Sequence, residues 1–185
     1  MSSIDAASLP RLIAQLSYRK GRFRLASGRE SDFYVDVKQT VFRAEGARVV
    51  GELLCDRLIA DGITLVGGMA VGAVPLVSVA LSAAAARGYA LDGFFVRKDV
   101  KDHGTAQRLD GRFRPDARIA LLEDVVTTGG STLAAIDAVE AAGGKVSLIV
   151  TVVDRQEEDG LERLAARGAR VEALTTREQI VAAAG

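Results

Sequence analysis

Apolar positions along this chain fall at helical spacing in some stretches and alternate or run together in others. Residues 4–18 place Leu9, Leu12, Ile13 and Leu16 on one stripe, and residues 43–60 do the same with Val49, Val50, Leu53, Leu54 and Leu58. Between them, residues 23–25 and 33–37 read as short strands around a Ser27-Gly28 turn. From residue 64 the pattern becomes regular: strand 64–66, helix 73–87, strand 94–96, strand 118–122, helix 131–142, strand 146–153, and a last strand–helix pair after 170. Gly88 and the Gly143-Gly144 pair stand where helix ends need residues free to reverse the chain. This rhythm predicts one α/β domain over 1–185, a parallel sheet flanked by helices, with ligands at the carboxyl ends of its strands. The first forty or so residues read as a small separate cap.

One stretch tests that reading. Residues 62–86 carry no charge and are long enough to span a bilayer. Gly67, Gly68, Gly72 and Pro75 interrupt them, so a buried strand, a glycine loop and a helix with Pro75 in its first turn are expected instead. The opening segment has Asp5 early and no basic cluster before an apolar run, so no signal peptide is expected. Hydrophobic residues make up 49% and aromatics 5%, so the core is aliphatic. Lys+Arg and Asp+Glu both number 24, which provides no net field to gather nucleic acid or an acidic membrane. Anion binding must then come from local clusters. The single cysteine, Cys55, lies in an apolar helical pattern; it reads as core, in a reducing cytoplasmic setting.

The chemistry concentrates in residues 118–132, RIALLEDVVTTGGST. An apolar strand leads into the acid pair Glu123 and Asp124, then two valines, two threonines, two glycines and an apolar-periodic helix. Gly129 and Gly130 let backbone amides crowd an anion, and the helix start turns unpaired N–H groups toward the same point. Thr127, Thr128, Ser131 and Thr132 add hydroxyl donors. Carboxylates beside a phosphate site make sense if the ligand also carries hydroxyls and a cation. A phosphorylated sugar satisfies both halves. The lysine of a Walker loop is missing, which disfavours a P-loop NTPase.

A second constellation, RKDVKDH at 97–103, follows the strand at 94–96. It holds four potential cations, among them the chain's one histidine, and it runs into the polar stretch TAQRLDG. Folded over a diphosphate, Arg97, Lys98, Lys101 and His103 would neutralise several charges together.

The EDVVTTGGST run resembles the PRPP-binding signature of type I phosphoribosyltransferases. RKDVKDHG, SGRESDFYVD and VDRQE narrow the resemblance to the orotate phosphoribosyltransferases, over nearly the whole chain. The resemblance implies a type I phosphoribosyltransferase-like fold with residues 1–40 as an N-terminal hood over the base. It implies that Glu123 and Asp124 hold the ribose hydroxyls. Val125, Val126, Thr127, Thr128, Gly129, Gly130 and Ser131 complete the PRPP-binding run, the last five around the 5-phosphate. Thr127 and Arg155 would contact orotate. Arg97, Lys98, Lys101 and His103 would hold the diphosphate, and Lys101, Asp102 and His103 form the catalytic set, with no acid–base role fixed on either of the last two. Mg²⁺ would act through PRPP and water, with no direct protein ligand. A homodimer is implied, the loop tip with Lys101 and His103 reaching the neighbour's site while Lys98 serves its own.

Three positions depart from the family pattern: Glu123 where an aspartate is frequent, and Ala26 and Val71 where some members carry lysine. The implied reaction is transfer of phosphoribose from PRPP to orotate, giving orotidine 5-phosphate and diphosphate. Two rivals remain at this point, a phosphoribosyltransferase acting on another base and a PRPP-sensing regulator.

Overall fold

The computed structural model describes residues 8–24, 30–98 and 108–185. Six strands form the central sheet, ordered β5-β4-β3-β6-β7-β8, and a separate two-stranded sheet pairs β1 with β2. In chain order the elements are α1 (Ser8–Leu16), β1 (Tyr18–Arg24), β2 (Glu30–Val35), α2 (Lys38–Val41), α3 (Ala44–Ala60), β3 (Leu65–Gly67), α4 (Ala73–Ala86) and β4 (Asp92–Val96). Then follow β5 (Leu109–Gly111), β6 (Ile119–Val126), α5 (Gly130–Ala141), β7 (Val146–Asp154), α6 (Gly160–Ala165), β8 (Arg170–Thr176) and α7 (Arg177–Ala183).

The period-2 rule assigns the two faces of the sheet. Ala120 and Leu122 of β6, with Leu148, Val150 and Val152 of β7, pack under α1, α3, α4 and α7 through Leu9, Leu54, Leu76 and Ile180. Their neighbours Ile119, Leu121 and Ile149 point the other way, onto Ala135, Ile136 and Val139 of α5 and Leu164 of α6. Burial on both faces is why β6 and β7 read as continuous apolar runs rather than alternating ones. Phe33 and Val35 of β2 and Val37 just beyond it are buried in the same cluster as α1 and α3, so the described part of the first forty residues packs into the main core rather than forming a separate cap.

All described pairings in the central sheet are parallel except β4 with β5. Four differences from the sequence reading have physical causes. The strand that leads into the acid pair extends through it to Val126, because β7 continues to hydrogen-bond beside it as far as Asp154. Part of the polar run after residue 104 is β5, held antiparallel on β4 with Val96 opposite Leu109. Its three residues carry no periodic signal of their own. The six-residue α6 is too short to register as a helical stripe. In the hairpin, β1 begins at Tyr18 and β2 at Glu30, both well before the expected pieces, because cross-strand pairing rather than apolar alternation sets their length. The uncharged stretch at 62–86 is β3, a loop and the 14-residue α4; among the described residues no helix is long and apolar enough to cross a membrane.

Candidate active site

The site is built at the carboxyl end of β6. Glu123 is 7% exposed and accepts a 2.7 Å hydrogen bond from the Thr132 hydroxyl of α5. Its pKa is raised to about 8, by burial first and by the adjacent Asp124 second, and the Thr132 hydrogen bond only partly opposes them. Asp124 points the other way along the pleat, half-buried, with Oδ1 accepting from the Val125 amide at 3.0 Å. Its carboxylate lies against the loop after β3: a Cβ on Gly72 would come within 2.9 Å of Asp124 Oδ1, so only glycine lets that loop approach.

Beyond Val126 the chain turns through Thr127, Thr128 and Gly129 into α5. Gly129 adopts φ 73°, the left-handed conformation that the turn requires, and it caps α5 without a side-chain hydrogen bond. The Thr128 hydroxyl accepts from the Gly130 amide at 3.3 Å. The amides of Ser131 and Thr132 stand in the first turn, where a helix has no internal acceptor for them. Two carboxyl groups, hydroxyls, open amides and the positive end of a 12-residue helix converge here. The arrangement suits a sugar phosphate, with hydroxyls toward the acids and phosphate toward the turn. Residues 123–131 are thus brought together as one continuous cradle.

Arg155 follows β7 and is tied to the same strand end, its amide donating to the Val126 carbonyl at 3.0 Å. Its guanidinium is 7% exposed as a residue and lies 5.5 Å from the centroid of the Phe33 ring. Nη2 donates to Ser31 Oγ at 2.9 Å, to the Phe33 carbonyl at 3.1 Å and to Glu157 at 3.3 Å. Nε is buried and has no hydrogen-bond partner. An unpaired donor on a buried cation costs free energy until something accepts from it, so the geometry is ready for an anionic acceptor. Arg177, 5.4 Å from the Phe33 ring, pairs with Glu157 at 3.0 Å and Asp32 at 2.6 Å, which fastens β2 to the end of β7.

The cationic segment is described only at its root. The Arg97 amide donates to the Arg108 carbonyl at 2.7 Å, the Arg108 Nε donates back to the Arg97 carbonyl at 3.1 Å, and the Arg97 guanidinium lies 3.9 Å from Asp110 of β5. Lys98 is exposed. Lys101, Asp102 and His103 lie outside the described residues, as does Ala26. The β4–β5 pairing therefore fixes where the segment leaves and rejoins the sheet, at the same carboxyl end of the parallel strands as the cradle.

Several site residues escaped the sequence reading. Lys38 opens α2 and stands 2.7 Å from Asp36 and 4.0 Å from Asp124. Arg163 of α6 donates to the Thr128 carbonyl at 2.8 Å and steadies the turn before α5. Ser31 and Glu157 hold Arg155. Lys38 and Arg163 belong to no local motif, and Ser31 and Glu157 lie in the SGRESDFYVD and VDRQE segments without a role that the segments themselves reveal; the tertiary fold supplies their contacts. Cys55 is buried in the core, and burial raises its pKa, as expected of a structural thiol.

No family model matches the chain. It is 40% identical to the orotate phosphoribosyltransferase of a Bradyrhizobium species over 176 residues, covering 93% of this chain and 95% of that one. It is 41% identical to the orotate phosphoribosyltransferase of Sorangium cellulosum, covering 98% and 97%. Among solved structures it superposes on Mycobacterium tuberculosis orotate phosphoribosyltransferase in complex with PRPP with TM-score 0.80 at 30% identity, over 96% of this chain and 99% of that one. Extended identity with enzymes of one name, near full coverage on both sides and a shared fold agree with the cradle described above. The chain belongs to the orotate phosphoribosyltransferases.

Proposed function

We propose that this chain transfers phosphoribose from PRPP to orotate, giving orotidine 5-phosphate and diphosphate, in pyrimidine biosynthesis. The observation that carries the reading is the juxtaposition of Arg155 with the phosphate turn, made by its hydrogen bond to Val126. A carboxylated base held by the arginine would present its ring nitrogen toward a ribose held by Glu123 and Asp124. The 5-phosphate would take the amides and hydroxyls of 127–131. Thr127 stands between the two ligands and would touch both.

As the C1–diphosphate bond breaks, the ribose develops positive charge and the leaving group negative charge. Asp124 lies where it would stabilise the former, and the cations of 97–103 would stabilise the latter. The nitrogen of the base then bonds to C1. Mg²⁺ keeps several of its waters and binds substrate phosphates, so it would reach the carboxylates at the strand end through PRPP and water, with no direct protein ligand. When bound with PRPP, the ion would neutralise part of the diphosphate charge. Lys101, Asp102 and His103 form the catalytic segment in this reading. Their partners would be the diphosphate of a neighbouring subunit, which makes the active form a homodimer in the cytoplasm.

The test is a base panel. The protein with PRPP and Mg²⁺ should release diphosphate with orotate and not with uracil, adenine or hypoxanthine. Release with a purine in place of orotate would move the chain to another branch of the phosphoribosyltransferases.

A further inference from the structure

The loop after β3 closes on the acid pair, yet it presents no cation there. Val71 is 75% exposed, an apolar side chain in solvent one position before Gly72, whose backbone touches Asp124. A cation does reach that carboxylate. Lys38 Nζ lies 4.0 Å from Asp124 Oδ2, and a Cβ on Gly72 would come within 2.9 Å of Oδ1 and 3.1 Å of Oδ2. Lys38 and the loop that carries residue 71 therefore meet at one group.

The lysine is held in place rather than swinging freely. Asp36 accepts from the Lys38 amide at 3.2 Å and meets its ammonium at 2.7 Å, so root and tip share one anchor. The side chain remains 42% exposed. An ammonium has three donors, and one contact with Asp36 leaves others for a ligand. At 4.0 Å from Asp124 the ammonium is at the outer limit of an ion pair, with space for a ligand oxygen beside both groups.

We propose that Lys38 is a PRPP-binding residue: it supplies, from the junction of the hairpin and α2, the cation that the glycine loop lacks at Val71. The inference rests on the PRPP reading above but not on the identity of the base. It also gives the hairpin a second task, because the residue that contacts the phosphorylated sugar is continuous with the strand that carries Ser31 and Phe33.

The test is direct titration with PRPP and Mg²⁺, which needs no base. Lys38→Met should weaken PRPP by about tenfold or more, the loss of one charge-assisted contact. Lys38→Arg should keep most of the affinity. Adding Val71→Lys to Lys38→Met should restore it, because a lysine at 71 stands on the loop that meets the same carboxylate and its position is too exposed to disturb packing. In turnover the KM for PRPP should rise while the KM for orotate holds. Unchanged PRPP affinity in Lys38→Met overturns the proposal. So does a loss that Val71→Lys leaves unrescued, or one shared equally by orotate, either of which makes Lys38 a tether of the hairpin. If wild-type protein binds PRPP normally but turns over no orotate, the base assignment has failed and the lysine assignment is still decided by the titration.

Discussion

Glu123 gives the account its most quantitative exposure. A glutamate whose pKa moves from 4.5 to about 8 on folding keeps its proton in the folded protein while the unfolded chain has lost it. Below pH 4.5 both states are protonated and the burial is harmless. As pH rises from there toward 8, the unfolded state binds fewer protons than the folded one, so stability falls; above about 8 the cost levels off. At about 1.4 kcal/mol per pH unit that interval sets a ceiling of about 5 kcal/mol on the penalty. Relaxation around the pair with Asp124 will lower the realised figure to about 1–3 kcal/mol, the scale of an ordinary buried polar defect. Glu123→Gln removes the ionisation and keeps an oxygen to accept from Thr132. Without ligand, urea unfolding of wild type and variant at a series of pH values should give nearly equal stability near pH 4 and a growing advantage for the variant up to pH 8. Taking the difference cancels the other titrating groups. A difference that is flat with pH, or that favours wild type as pH rises, would refute the claim that this acid is held neutral by burial.

Two further outcomes follow from the same geometry. Arg155→Lys keeps the charge but loses the fork that reaches Ser31, the Phe33 carbonyl and a ligand at once; orotate affinity should drop about 10- to 100-fold with PRPP affinity held, by titration of each ligand. A shared loop predicts that inactive Lys101→Ala and Arg155→Ala homodimers regain activity when mixed and exchanged, up to about half per heterodimer because one of its two sites is whole; confirmed exchange without recovery would place the loop over its own site.

How far the sequence speaks for itself follows from how local each feature is. The cradle at 123–131 was legible because strand, acids, turn and helix are consecutive, and each does its work within a few residues of the next. The parallel sheet was legible for the same reason, through Leu148, Val150 and their alternating partners. The acid pair was placed just past its strand because its polarity imitates a strand end, whereas β7 pairing continues beside it. β5 was missed because a three-residue antiparallel partner is defined by what it pairs with. Arg155 could be located but not its surroundings: Ser31 and Phe33 lie more than a hundred residues away. Lys38 gave no signal at all, since its meeting with Asp124 exists only once the hairpin has folded onto β6.

The central claim is a single transfer that conserves its parts. With PRPP and Mg²⁺ in excess, the loss of orotate absorbance should be matched mole for mole by orotidine 5-phosphate formed and diphosphate released. Omitting either substrate should stop both products. Diphosphate released without loss of orotate, or orotate left untouched while PRPP is bound, would contradict the account.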